Sequence, residues 1–259
     1  MSRTTNTTFQ LLFFALTLFI TCANGENEVT PKVTLDDNEI EFEPIHLDSA
    51  ETTILFVGNS LTYSNDLPQI LQMIASTYSE SVGTTCICKP NYAIIDHIED
   101  GSIKRALDQH HYDYVIMQQG PSSQPYGREL LIDAAHQIKA LENNYLFKSA
   151  FYMVWPSVNY YNTFDGVIES YSLAADETES ILLPVGMVWK EYSKNLNNKS
   201  LYGPDLFHPS LKGSFLAAWV MFHTLYPDLE RSYHKNYSSY LSKRDLTKIN
   251  EAMDAALVE

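Results

Sequence analysis

The chain has 259 residues, with 17 Lys and Arg against 32 Asp and Glu, for a formal charge of −15. Hydrophobic residues make up 45% and charged residues 19%, a globular composition with length enough for one ordinary core. This acidic balance excludes a general nucleic-acid binder, which needs Lys and Arg contacts to phosphate, and disfavours adhesion to an anionic membrane surface.

Residues 1–25 read as a secretory signal peptide. Arg3 gives a basic start, Leu11 to Ile20 is an uncharged apolar run, and small Ala23 and Gly25 precede Glu26. The run is shorter than the roughly 20 residues of a membrane span, so no stable membrane insertion is expected. A lipoprotein cysteine at Cys22 is the weaker reading, because Thr21 before it fits that signal poorly. Export to a periplasm or to the medium is the expectation. Residues 26–50 are acidic and irregular and read as a linker.

From there the periodicity alternates. Thr53 to Val57 is a continuous apolar run, as in a strand buried on both faces. A helix follows from Pro68, with Ile70, Leu71 and Ile74 on one side and Asn65, Asp66 and Pro68 as its start chemistry. Thr84 to Cys88 reads as a strand and 95–107 as a helix. Further strands are expected at 114–117, 150–155 and 181–185, with helices near 128–141, 167–175 and 215–225. Such alternation predicts one α/β domain over 51–230, a three-layer α/β/α sandwich around a mainly parallel sheet of about five strands. Residues 231–259 read as a helical extension with a charged helix around 243–257.

Cys86 and Cys88 are separated by one residue, a spacing at which a disulfide is expected to be strained. They read as two small buried residues, and without a second pair they make no zinc site.

In folds of this kind ligands bind outside the carboxyl ends of the strands, so the loops there carry the candidate chemistry. Gly58-Asn59-Ser60-Leu61-Thr62 follows the first strand directly. Ser60 is either a nucleophile whose own N–H helps bind an oxyanion, or a helix-capping serine in a tight turn. Near the other end of the domain stands Asp205-Leu206-Phe207-His208-Pro209. An Asp three residues before a His can accept the imidazole Nδ1–H and leave Nε2 free as a base; the alternative is a loop His beside an acidic helix cap. His97, His136 and His223, and the His110-His111 pair, read as structural. Trp155, Tyr160 and Tyr161 fall where a strand meets its loop, either as stacking surface or as buried anchors.

Gly58-Asn59-Ser60-Leu61-Thr62 and Asp205-Leu206-Phe207-His208 resemble the first and last sequence blocks of the SGNH or GDSL hydrolases. The resemblance spans about residues 52–226. It is closest to a bacterial branch with His-Pro-Ser followed by a Gly-x-x-x-Ala-Ala helix, here His208-Pro209-Ser210 and Gly213 to Ala218. Pro184-Val185-Gly186-Met187-Val188-Trp189 is similar to another segment of that branch. The resemblance implies a flavodoxin-like sandwich, Ser60 as nucleophile, His208 as general base and Asp205 orienting it. The middle blocks depart from the family pattern. Where the family offers a Gly N–H to the oxyanion this chain has Ala93, and where it offers an Asn side chain this chain has Gln118, with Gln119 and the N–H of Gly120 as rivals. Together with the N–H of Ser60 these are the expected oxyanion donors.

The function implied is an exported serine esterase acting through an acyl-enzyme, with no metal and no cofactor. A loop-rich mouth favours a short acyl group, and the expected partner is a small-molecule or glycan ester, with O-acetyl carbohydrate in view from family habit. The altered middle blocks motivate the alternative, a catalytically silent binding protein on the same fold. Asn198-Lys199-Ser200 and Asn236-Tyr237-Ser238 match the glycosylation pattern, which matters only in a eukaryotic secretory host.

Overall fold

A computed structural model describes residues 46–194 and 196–257. The expected signal peptide, Cys22 and most of the expected linker lie outside the described residues.

Five apolar runs become five parallel strands: β1 (Thr52–Gly58), β2 (Val82–Cys88), β3 (Tyr114–Met117), β4 (Lys148–Tyr152) and β5 (Ile181–Leu183). Their order across the sheet is β2-β1-β3-β4-β5. The helices are α1 (Ser60–Tyr63), α2 (Leu67–Ser76), α3 (Ile94–Glu99), α4 (Ser102–Gln109) and α5 (Pro125–Tyr145). They continue with α6 (Phe164–Glu177), α7 (Val185–Ser193), α8 (Leu211–Leu225) and α9 (Lys243–Ala256). The chain moves outward from β1 to β2, then crosses back past β1 to β3. With right-handed crossovers that reversal puts α2 on one face and α3 to α6 on the other. Accordingly α2 packs with α8, and α5 packs with α3 and α6. Ile54, Leu55, Phe56 and Val57 are fully buried, as a central strand covered by both helix layers requires. The α/β/α sandwich expected from the sequence is thus the observed architecture.

Several local expectations need correction. The helix expected over 95–107 is two helices, broken at Gly101, which takes φ 70° while the Asp100 side chain accepts from Ser102 N. Of the run 150–155, the strand ends at Tyr152, because β5 ends at Leu183, whose carbonyl accepts the last bond from Met153 N at 3.1 Å. Pro184 closes β5 and Val185 already begins α7, a helix the periodicity did not reveal. Cys86 and Cys88 are not buried free thiols. They form a disulfide, with Cys86 exposed and Cys88 half-buried. On the edge strand β2, alternate residues share a face, and these Cα atoms are 5.5 Å apart, within the range that disulfides span.

The terminal helix is tied into the same core. Leu246, Ile249, Ala252 and Met253 are buried, Asn250 Oδ1 accepts from Trp219 Nε1 at 2.9 Å, and Lys212 pairs with Asp245 at 2.8 Å. At the other end, a 3₁₀ turn at Leu47–Ser49 packs on β2.

At the start of α8 the backbone passes against Trp189. A Cβ on Gly213 would lie 2.2 Å from Leu201 O and 2.7 Å from Trp189 Cη2. Gly213→Ala is therefore expected to cost about 1–3 kcal/mol, read as a lowered denaturant midpoint. Inside the same layer, burial and the Arg231 charge push His223 down to about 4, so the folded protein keeps it neutral. The unfolded chain takes up that proton near the ordinary value of 6.5, so stability declines as pH falls from there towards 4. Urea midpoints across that window are expected to fall less steeply in His223→Gln than in the parent.

Candidate active site

Sheet order reverses between β1 and β3, so the loops leaving their carboxyl ends part there and open a crevice. Ser60 sits at that point, on the first residue of α1, immediately after β1. The turn is held from every side. Asn59 caps α1 with Oδ1 accepting from Leu61 N at 3.1 Å, and its Nδ2 donates to Tyr92 O at 3.0 Å. Gln118 Oε1 accepts from Asn59 N at 3.0 Å and from Thr62 Oγ1 at 2.8 Å. Buried His97 donates from Nε2 to Gly58 O at 2.9 Å, and its burial lowers the ring pKa, which suits a neutral donor. Only glycine fits at position 58, because a Cβ there would lie 2.5 Å from Thr62 Oγ1 and 2.7 Å from Gln118 Oε1.

The second half of the site is a loop over 201–210, closed at its base by a bridge between Tyr202 and Pro209. Gly203 N donates to His208 O at 2.7 Å and Ser210 N to Leu201 O at 2.8 Å. Leu206 adopts the left-handed region with φ 61°, which turns the chain at the loop tip. There Asp205 Oδ1 accepts from Phe207 N at 3.1 Å and His208 N at 3.0 Å. Its other oxygen, Oδ2, lies 2.5 Å from His208 Nδ1, and His208 Nε2 lies 2.8 Å from Ser60 Oγ. A carboxylate only accepts, so Nδ1 carries the proton and the Nε2 lone pair faces the Ser60 hydroxyl. The His208 hydrogen bond holds the Asp205 carboxyl below the usual carboxylate range, which keeps it an acceptor. Ser60 and His208 are 148 residues apart in sequence, yet with Asp205 they form one continuous hydrogen-bonded chain.

The expected oxyanion donors fare differently. Ala93 N–H donates to Asp96 Oδ2 at 2.7 Å in the cap of α3. Gln118, fully buried, directs its Nε2 to Gln119 O at 2.5 Å, so its amide braces the Ser60 turn instead of facing the crevice. Gln119 donates to Ser122 Oγ at 2.7 Å and to Gly127 O at 3.3 Å. Each therefore has an internal partner. The N–H of Ser60, in the first helical turn, has none among the described residues.

Among the other expected residues, exposed His136 faces Glu177 at 3.4 Å, and His223 is buried 3.5 Å from Tyr78 Oη. Tyr161 packs edge-on against Phe164, whereas Tyr160 is 68% exposed. Trp155 is fully buried and stacks on Trp189 with centroids 3.5 Å apart. Among the described residues no three His, Cys, Asp or Glu side chains are grouped to hold a metal ion, and no helix is long and apolar enough to cross a membrane.

No family model and no curated protein matches the chain in sequence. Solved structures do match it in shape. A candidate SGNH hydrolase from Slackia heliotrinireducens superposes with a TM-score of 0.56 at 21% identity, over 67% of this chain and 98% of its own. The acetyl xylan esterase Axe2 of Geobacillus stearothermophilus, in a tryptophan-to-isoleucine variant, gives 0.57 at 14% identity, over 73% and 99%. A lipase/acylhydrolase from Enterococcus faecalis gives 0.55 at 12% identity, over 71% and 100%. The chain has the SGNH-hydrolase fold.

Within that fold, one site residue escaped the sequence reading. Asn65 is expected from the sequence only as helix-start chemistry, yet it takes φ 55° in the turn before α2. Its Nδ2 donates to Pro209 O at 3.1 Å and to Ser214 Oγ at 2.9 Å, and Ser214 Oγ donates on to Ser64 O at 3.2 Å. Asn65 therefore ties the Ser60 segment of the SGNH fold directly to the residue after His208. No spacing rule signals a pair 144 residues apart. Loss of the tether in Asn65→Ala is expected to slow covalent labelling of Ser60 by a serine-reactive phosphonate about tenfold, since small misplacements of reacting groups are costly. An unchanged labelling rate would show that the tether does not set the Ser60–His208 distance.

Proposed function

We propose that this protein is an exported serine esterase that cleaves a carboxylic ester through an acyl-enzyme. The single observation that carries the reading is the Ser60–His208–Asp205 hydrogen-bonded chain at the switch point of the sheet, 2.8 Å and then 2.5 Å. In the reaction Ser60 Oγ attacks the ester carbon as His208 Nε2 takes its proton. Asp205 stabilises the imidazolium without itself being protonated. The oxyanion forms against the N–H of Ser60. The C–O bond to the alcohol then breaks, and the leaving oxygen takes the proton from His208. Water repeats the sequence in reverse and frees the acid. Export rests on the sequence of residues 1–25, and the preferred substrate is a short acyl ester, with O-acetyl groups on carbohydrate favoured by the acetyl xylan esterase among the structures of this fold.

The test is hydrolysis of p-nitrophenyl acetate and butyrate by the full chain. Ser60→Ala and His208→Ala are each expected to lower kcat by about 10³-fold or more, with the protein still folded. Equal turnover in parent and Ser60→Ala would overturn the nucleophile assignment.

One observation favours a second reading, a catalytically silent binding protein. Ala93, Gln118 and Gln119 all have internal partners for the hydrogens that an oxyanion would require. Loss of one such donor costs about 10²–10³ in rate. A serine-reactive phosphonate separates the two: it should modify Ser60 in an esterase and leave a silent protein unmodified.

A further inference from the structure

A cavity of about 770 Å³ adjoins the triad from the Asp205 side. The 121–124 segment that leads from β3 into α5 forms one wall, and the 156–163 segment between β4 and α6 forms another. Asp205 and Phe207 close the side towards His208, whose ring meets Phe207 edge-on at 5.2 Å. This position has a mechanistic meaning. In an acyl transfer the leaving oxygen must receive its proton from His208 Nε2, so the alcohol half of an ester lies on the histidine side of the reacting carbon. Two of the cavity's lining residues, Asp205 and Phe207, each contact the His208 ring.

The lining also has a definite chemistry. It contains no Lys, Arg or Glu, and its one charged group, Asp205, is already bonded to His208. In a chain of formal charge −15 this lining offers an anion nothing to pair with. Tyr160, 68% exposed, supplies an aromatic ring to the lining together with Pro121 and Pro156. Around it, the Ser123, Gln124 and Asn159 side chains have no hydrogen-bond partner among the described residues. A flat aromatic face ringed by uncharged donors and acceptors suits an uncharged ring that carries hydroxyl groups.

We propose that this cavity binds the alcohol half of the substrate as an uncharged, hydroxyl-bearing ring stacked on Tyr160 and hydrogen-bonded by Ser123, Gln124 and Asn159. The proposal rests on the esterase reading for its place in the reaction: the alcohol is released into this cavity when the acyl carbon exchanges its bond to the alcohol oxygen for the bond to Ser60 Oγ.

Three acetate esters test it: a monoacetate of methyl glucoside, the matching monoacetate of methyl glucuronoside with its carboxylate, and ethyl acetate. The glucoside ester is expected to have the highest kcat/KM. Tyr160→Ala should reduce its advantage over ethyl acetate about fivefold, in KM more than in kcat, with Tyr160→Phe retaining it. A preference for the anionic ester, or an unchanged ratio in Tyr160→Ala, would overturn the assignment. Binding is read separately from catalysis by an NMR titration of folded Ser60→Ala protein with methyl glucoside itself. Saturable binding that is lost in Ser60→Ala/Tyr160→Ala supports the cavity even if no ester is turned over, which would refute only the esterase reading. Absence of binding together with absence of a ring preference refutes the cavity.

Discussion

The His208 loop has no regular secondary structure of its own, and its position depends on where its carbonyls go. Four consecutive carbonyl oxygens are held by four donors from three parts of the molecule. Leu206 O accepts from Val158 N, Phe207 O from Trp155 Nε1, His208 O from Gly203 N and Pro209 O from Asn65 Nδ2. Two of these donors follow β4, one lies across the loop, and one belongs to the segment after Ser60. A loop residue left to itself samples many conformations, each costing entropy to suppress. Here every peptide unit from 206 to 209 is fixed by a bond of 2.7–3.1 Å, so the imidazole is aimed before any ligand arrives. Such preorganisation is what the general-base role proposed for His208 requires, because no reorganisation then remains for the reacting step.

The Ser60 side achieves rigidity by a different route. A single buried amide, Gln118, accepts twice from the turn with one oxygen and donates once to its own strand end. Removing a partner from a buried polar group costs about 1–3 kcal/mol, so a side chain with three such partners is strongly retained. This is also why Gln118 does not present its hydrogens to the crevice. Its oxygen is taken up by the Ser60 turn and its nitrogen donates to Gln119 O.

How much of this is legible in the sequence follows from the range of the interactions. The strands at 53–57 and 114–117 are readable because a strand buried on both faces must be apolar throughout, and that signal is local. The Asp205–His208 pair is readable for the same reason, since three residues separate a carboxylate from the imidazole it orients. Helix α7 is obscured because Pro184 and Gly186 break the pattern at its start, while its buried residues include Trp189 and Tyr192 on a face the periodicity does not isolate. The Cys86–Cys88 disulfide escapes a reading that weighs spacing without the edge position of β2. Asn65 and the bracing role of Gln118 are not legible in the sequence, because their partners lie far along the chain, Pro209 for the first and Asn59 and Thr62 for the second.

The indole of Trp155 has a use beyond architecture. The chain has three tryptophans, all fully buried, and two of them, Trp155 and Trp189, are stacked at 3.5 Å with their planes 8° apart. Two coupled chromophores in a fixed geometry impose a near-ultraviolet circular dichroism signature of their own. Because the Trp155 N–H is bonded to the carbonyl just before His208, detachment of that loop would wet one member of the pair. The emission and dichroism of this protein therefore read the posture of the His208 loop, with no label attached.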